Sequence, residues 1–561
     1  MSSSNDEFLH TDNFFPDLSD FFGNLNMGNN DAVVNILYPL QATKDLMGTR
    51  RSLHLSMLVL KTLLLMFYGA SSTHCSMVHG NMTDLRSLLD FKEAIIDDPT
   101  GALRSWNVSI HHCMWLGVNC STRHPGRVTA LRLDYLNLTG QIAPSIGNLT
   151  FLRELNLTYN NFSGRLPPLN RLRKLDTLDV GGNFLQGNIE DALIALRECS
   201  KLERLDLSSN MLVGPIPASL GNLSFLRELR LSDNHFSGQL PPLNRLTKLE
   251  IFFLRGTSLQ GSIQDSLVSL KNCSKLQWLD LSFNMLEGSI PRNIDYLSNL
   301  VGILLSENNI SGVIPPTFSN ITHLQYILLD DNQLEGNIPE ELGQLVDMVV
   351  IRLGRNMLSG RVPTTLFNLS HLEELYLSSN MLSGAVPSDI GDMVPSLQYL
   401  ILRDNNLEGH IPDSLGNASE LQAIDLSYNY FTGPFPSSVG KLRKLQDLIL
   451  DSNKFKARDS QSWEFLSALS NCPDLRILYL YGNQLHGVLP NSIGNLSSTL
   501  QGLDLGANNL CGTVPPSIGA LKNLENIRLR GNKFIGTIPH SIGNLAKLKR
   551  LDLSDNQFDG W

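Results

Sequence analysis

The chain has 561 residues, with 44 lysines and arginines against 54 aspartates and glutamates, for a formal net charge of −10. That acidic balance, with no basic run beyond Lys441, Arg443 and Lys444, argues against nucleic acid as a partner. Its seven cysteines are too few for a disulfide scaffold, so their positions matter more than their number.

Residues 1–46 are rich in Asn, Asp and Phe, have no sustained helical or strand period, and read as an unpatterned extension, as an artefact of the gene's assigned start would be. Residues 47–78 open on MGTRR, run through an apolar stretch from Leu55 to Tyr68 broken by Lys61, and continue into Gly69, Ala70, Ser71 and Ser72. This is the layout of a secretory signal peptide starting at Met47. The alternative is an uncleaved signal anchor, short and charged for a spanning helix. Either way Lys44, Arg50 and Arg51 favour the cytoplasm, so the repeats face outside the cell.

Residues 79–127 form a non-repetitive cap. Leu85, Leu88, Leu89, Phe91 and Ile95 have helical spacing, Asp98-Pro99-Thr100-Gly101 is a turn, and Trp106 and Trp115 supply bulk. Cys113 and Cys120 bracket the text CMWLGVNC. A metal site there would need two more ligands at suitable spacing, so a local disulfide is the preferred reading, with His111 and His112 a weak metal signal beside it. No metal, cofactor or catalytic residue is expected anywhere in the chain.

From residue 128 to 561 one unit recurs in 18 turns, mostly 24 residues apart, the last incomplete. Leu202 to Pro217, LERLDLSSNMLVGPIP, is a clear copy: L-x-x-L-x-L-x-x-N-x-L followed by x-G-x-I-P. Leu205 and Leu207 alternate like a strand and point to one face, Arg204, Asp206 and Ser208 to the other. Asn210 turns the chain inward, where its amide can bond backbone groups that a coil leaves unpaired. No turn can bury its own leucines, so the turns must stack. The expected fold is a repeat α/β solenoid: a right-handed leucine-rich-repeat superhelix with a parallel β-sheet on its concave face and a helical cap at its N-terminus. Cys199, Cys273 and Cys472 occupy a slot that leucines fill elsewhere, and read as core. One turn, starting at Leu445, is 30 residues long, and its extra text KARDSQSWEF is expected to bulge from the surface. The chain stops partway through a turn, which reads as the front part of a longer product or a damaged gene model.

The outward strand positions are mostly polar but turn apolar across neighbouring turns, at Ile251, Phe253, Trp278, Leu304, Tyr326, Leu328, Tyr376, Tyr399 and Ile401, with Phe283 just after a strand. Such a run is what a peptide or protein contact would use. The rival is that these side chains cover one another along the sheet. Replacing Phe253, Trp278 and Tyr326 by Ala is expected to abolish ligand capture and spare folding. Sequons at Asn81, Asn107, Asn148, Asn222, Asn320, Asn368, Asn417 and Asn495 are expected glycosylation sites, whereas Asn161 and Asn309 read as turned inward beside the asparagine column. No dinucleotide, P-loop, zinc-protease, nucleophile-elbow or kinase text appears, so an enzyme reading has no support.

The cap text from Asp84 to Lys92, the box formed by Cys113, Trp115, Gly117, Val118 and Cys120, and the ending Gly214-Pro215-Ile216-Pro217 resemble plant leucine-rich-repeat receptors, the extracellular parts of receptor-like kinases and receptor-like proteins. The resemblance implies that the box cysteines pair. It also implies that the inner face binds a peptide or protein, and that binding brings in a leucine-rich-repeat co-receptor kinase. Placement at the outer face of the plasma membrane would come from a C-terminal span beyond this sequence or from the signal anchor. The long turn with Trp463, Glu464 and Phe465 looks like a subgroup linked to pathogen sensing. A secreted inhibitor of microbial cell-wall hydrolases, or a non-functional truncated receptor-kinase product, is the alternative. The column asparagine is replaced by Thr257 in the Leu249 turn and by Leu136 in the first.

Overall fold

The computed structural model describes residues 82–559; the extension, the signal segment, Asn81, Gly560 and Trp561 lie outside the described residues. Each turn begins with a strand of about three residues, because only the L-x-L text alternates. Arg204–Asp206 pairs in parallel with Glu228–Arg230, Leu205 opposite Leu229, and the same pairing carries on to Asn526–Arg528 and Arg550–Asp552. This is the concave sheet. The inward leucines of all turns merge into one core, Leu202, Leu205, Leu207 and Leu212 being at most 1 % exposed.

The asparagine does more than turn the chain. Nδ2 of Asn210 donates to the Val180 carbonyl of the preceding turn and the Leu207 carbonyl of its own, both at 3.1 Å, while Oδ1 accepts from the Leu185 N–H at 2.9 Å. The pattern repeats from Asn160 to Asn556, and at the exception Thr257 donates its hydroxyl to Oδ1 of Asn284 at 2.6 Å. The residue before each of these asparagines takes the left-handed backbone, as Ser209 does at φ 49°. For a residue with a side chain that costs about 1–2 kcal/mol. Bonds from an amide that would otherwise be stranded in the core offset it.

The text after the asparagine carries no strand pattern of its own, yet it forms a second parallel sheet on the flank: Met211–Pro215 pairs with Phe184–Asn188 on one side and His235–Gly238 on the other. Two or three alternating residues are too few to announce a strand, but the asparagine column holds neighbouring turns at strand spacing, and the backbone groups pair once they are there. Short 3-10 helices such as Ala218–Asn222 close most turns, and the longer turns use α-helices, Ile189–Leu196 and Ile263–Ser269.

The long Leu445 turn corrects its expectation. Lys456, Arg458 to Gln461 and Glu464 stand out; Trp463 and Phe465 are buried, their rings 5.9 Å apart, and Phe465 meets Phe435 edge-on at 6.1 Å. The aromatic half of the insertion is therefore an enlargement of the core.

At the front, the helix Met82–Glu93 lays Phe91 against Trp106 and Phe162, at 6.1 and 5.9 Å. Buried Asp84 accepts from the Val128 N–H at 2.9 Å and Arg127 Nε at 3.1 Å, tying the cap to the first turn. The cap also starts both sheets: Val118–Cys120 pairs antiparallel with Val128–Arg132, and Ile95–Asp97 with Thr139–Gln141. Cys113 and Cys120 are disulfide-bonded. Cys199, Cys273 and Cys472 are wholly buried, and burial pushes their thiols up to about 11, 12 and 11.

Candidate ligand-binding face

Stacking in register sets outward side chains of successive turns in columns. One runs Ile251, Trp278, Gly302, Tyr326, Val350, Glu374, Tyr399; the other Phe253, Asp280, Leu304, Leu328, Arg352, Tyr376, Ile401. With strands only about 4.8 Å apart, a large side chain must lie along the sheet over its neighbour. Trp278 does so: a Cβ placed on Gly302 would sit 2.5 Å from its ring, which reaches past the glycine to Tyr326 at 5.2 Å. In consequence Ile251, Phe253, Trp278, Leu304, Tyr326, Leu328 and Ile401 are all buried, Ile251 being the most exposed of them at 8 %. Tyr376 and Tyr399 are half-buried, and Phe283 is exposed at the sheet's edge with the Arg255 guanidinium 4.3 Å from its ring. The apolar run is thus brought together, but as a shingled floor that offers little of each ring to a partner.

Arg352 anchors the floor. Its guanidinium lies 4.5 Å from the Tyr376 ring centre and pairs with Glu374 at 2.7 Å. Burial works against the Arg352 charge, but Glu374 outweighs it; burial pushes the Glu374 carboxyl up against the pull of Arg352. Beside the two tyrosines runs a strip that sequence reasoning missed. Tyr399 donates its hydroxyl to Gln422 Oε1 at 3.2 Å, Gln422 Nε2 donates to Gln398 at 2.9 Å, and Gln398 Nε2 to Glu373 at 3.0 Å. All four are half-buried, so the strip presents amides, a carboxylate and a phenol to solvent at fixed spacing. The signal was present as Q or E in the same slot of consecutive turns, yet a flanking polar residue reads as ordinary surface without the register.

Many outward polar residues, by contrast, are internal supports. Asp206, Asp280 and Asp425 each accept from the N–H and hydroxyl of the serine two residues on. Burial raises the Asp280, Asp425, Asp451 and Asp504 carboxyls above the usual range, and Asp179 to about 6. Toward the cap, Arg204 bridges Asp179 and Glu228 at 3.0 and 3.2 Å. The second aromatic cluster, Ile449, Ile477, Tyr479 and Tyr481, shingles the same way, the Tyr479 hydroxyl 2.9 Å from where a Cβ on Gly502 would lie.

The His111, His112 and Cys113 ligand atoms lie within 4.8 Å of one another, but the Cys113 sulfur is bonded to Cys120 and His112 Nε2 sits 2.9 Å from the Gly126 carbonyl. Of the expected glycan acceptors, Asn222, Asn320, Asn368, Asn417 and Asn495 are exposed at the ends of 3-10 helices, Asn107 and Asn148 are half-buried, and Asn81 lies outside the described residues. Among the described residues no helix is long and apolar enough to cross a membrane.

The leucine rich repeat N-terminal domain family matches residues 81–121. Leucine rich repeat families match residues 274–334, 395–455 and 498–558, and residues 151–171, 201–223, 225–245, 371–393 and 474–496. The solved ectodomain of the Arabidopsis receptor kinase HAESA, in complex with an N-terminally extended IDA peptide hormone, is 32 % identical with a TM-score of 0.77 over 85 % of this chain and 78 % of that one. A second HAESA structure, with the peptide hormone IDA and the co-receptor SERK1, is similar over 85 % of this chain and 90 % of that one, at 28 % identity and a TM-score of 0.60. The LRR receptor-like serine/threonine-protein kinase EFR of Arabidopsis thaliana is 47 % identical over 88 residues, which are 16 % of this chain and 8 % of that protein. With its cap, its paired box cysteines and its two stacked sheets, the chain belongs to the leucine-rich-repeat receptor family of plants.

Proposed function

We propose that the chain is the extracellular ligand-recognition module of a plant receptor, a binding protein whose concave face takes a peptide or protein and whose signal passes through a kinase or a leucine-rich-repeat co-receptor kinase. The observation that carries the reading is the likeness of the solenoid, over 85 % of this chain, to an ectodomain solved with its peptide hormone. The concave face has the matching chemistry. A peptide lying across the turns would rest on the rigid floor from Ile251 to Ile401 and contact Tyr376, Tyr399 and the strip from Glu373 to Gln422. The shingled residues serve by holding those contacts still, which lowers the ordering cost of binding.

The test is selection of binders from a displayed random peptide library against the secreted chain. Enriched peptides are expected to lose about tenfold in affinity, roughly 1.4 kcal/mol, on Tyr376→Ala or Gln398→Ala and nothing on Met381→Ala, at the exposed first residue of the flank strand Met381–Gly384. Peptides that ignore the concave substitutions and respond to the flank would overturn the placement.

A further inference from the structure

The flank carries a groove of about 1050 Å³ where successive turns pass from the concave strand to the second sheet, lined among others by Gln260, Glu287, Asn309, Asp331 and Arg355. It is slightly larger than the roughly 300–1,000 Å³ that small-molecule sites occupy. Its walls are amides, carboxylates and a guanidinium, with Met285 as an apolar strip. Such a lining matches hydroxyl and acetamido groups more closely than an apolar side chain.

Asn309 stands in that wall and begins the sequon Asn309-Ile310-Ser311. In the sequence it reads as turned inward with the asparagine column; in the structure the column residue is Asn308, and Asn309, the first residue of the flank strand Asn309–Val313, is exposed. Its Oδ1 accepts from Gln333 Nε2, and among the described residues its Nδ2 makes no hydrogen bond. The nitrogen a glycan would substitute is therefore unused by the fold. Asn156 differs: it is half-buried on the concave face, and its Oδ1 holds the N–H and hydroxyl of Thr158, its own sequon threonine.

We infer that Asn309 is an N-glycosylation site whose first sugars lie in the flank groove, packed against the walls instead of standing free in solvent. The step is a glycosyl transfer: Asn309 Nδ2 displaces the pyrophosphate of a lipid-linked oligosaccharide, the new N–C bond forming at the anomeric carbon as the C–O bond to phosphate breaks, and the amide loses one proton. It occurs before the turn closes, so the folded groove decides where the sugars rest. Met285 gives an apolar face for a sugar ring, Glu287 gives an acceptor one turn from the attachment point, and the ion pair of Asp331 and Arg355, 3.5 Å apart, lies within two turns of it. The inference rests on the extracellular reading, since the donor belongs to the secretory pathway.

The test is secretion of the full chain from a eukaryotic host, followed by site-resolved glycopeptide mass spectrometry. Asn309 is expected to be occupied, and its glycan to be released from the native protein roughly tenfold more slowly than that on Asn222, the factor one or two hydrogen bonds to the walls would give, with the rates equal after denaturation. Asn309→Gln and Ser311→Ala should each remove the modification, and Ser311→Thr, which restores the acceptor text, should keep it. An unmodified Asn309 beside occupied Asn222 and Asn320 overturns the inference, as does a native release rate equal to that of Asn222. Retention of the whole chain inside the host cell with no sequon occupied overturns the extracellular reading and this one together.

Discussion

Trp278→Ala separates a structural floor from a ligand anchor. A tryptophan buries about 200 Å², worth about 5 kcal/mol at ~25 cal/mol per Å², and the real gain is smaller because the unfolded chain already hides part of that area. Loss of the contact with Tyr326, whose ring centre is 5.2 Å away, adds about 1 kcal/mol, so a net cost of about 4–5 kcal/mol is expected, within the range for removing a buried tryptophan. The loss should stay local, because each turn touches only its neighbours. Hydrogen exchange of the strands Gly302–Leu304 and Tyr326–Leu328 should therefore speed up at least roughly a hundredfold, at about 1.4 kcal/mol per tenfold, while Asn526–Arg528 is unchanged. Gly302→Ala supplies the second arm. Its Cβ would meet the Trp278 ring at 2.5 Å, costing about 1–3 kcal/mol in the native background and close to nothing once the ring is gone. Additive effects of the two substitutions, or exchange unchanged within about threefold in Trp278→Ala, would refute the shingled floor.

Thr257→Asn should complete the asparagine column: an Oδ1 there can accept from the Phe236 N–H, as Asn234 accepts from Leu212, and a gain of about 1 kcal/mol in urea unfolding is expected. The reverse change, Asn332→Ala, strands the Ile310 N–H and the Leu305 and Leu329 carbonyls, and should cost about 3 kcal/mol in the same assay, with unchanged stability counting against the ladder's role. Opening the Cys113–Cys120 bond, which closes a loop with a sequence separation of 7, should cost the cap about 2.5 kcal/mol by chain entropy, read as faster exchange confined to the residues before the first repeat. Burial raises the Asp179 carboxyl to about 6 and moves Asp425 and Asp451 the same way. A raised carboxyl binds more protons folded than unfolded, so stability should increase as pH falls from neutrality through about 6. A melting temperature that drops steadily over that interval would contradict it, and Asp425→Asn, which keeps an acceptor for Ser427, should flatten the slope.

How far the chain could be read from its letters differs between core and surface. The inward positions come from period alone: Leu205, Leu207 and Asn210 have the same neighbours in every turn, so the solenoid, its cap and the buried cysteines were legible. The concave apolar run was located correctly, but its exposure was not, because whether Trp278 stands up or lies down depends on what the next turn offers, and the next turn offers Gly302. The same holds for the long turn, where Trp463 and Phe465 have no periodic signature and go inside because a wider turn leaves room for them. Asn309 and Asn308 are adjacent in the chain yet meet different fates, one residue of register separating an amide whose nitrogen is spent on the column from one left exposed on the flank. What the sequence alone determined is therefore the repeat and everything identical from turn to turn, since stacking admits one arrangement of those residues. Which outward side chains reach solvent, where the flank strands pair and where the groove opens were decided only by tertiary structure, because each depends on the side chain a full turn away.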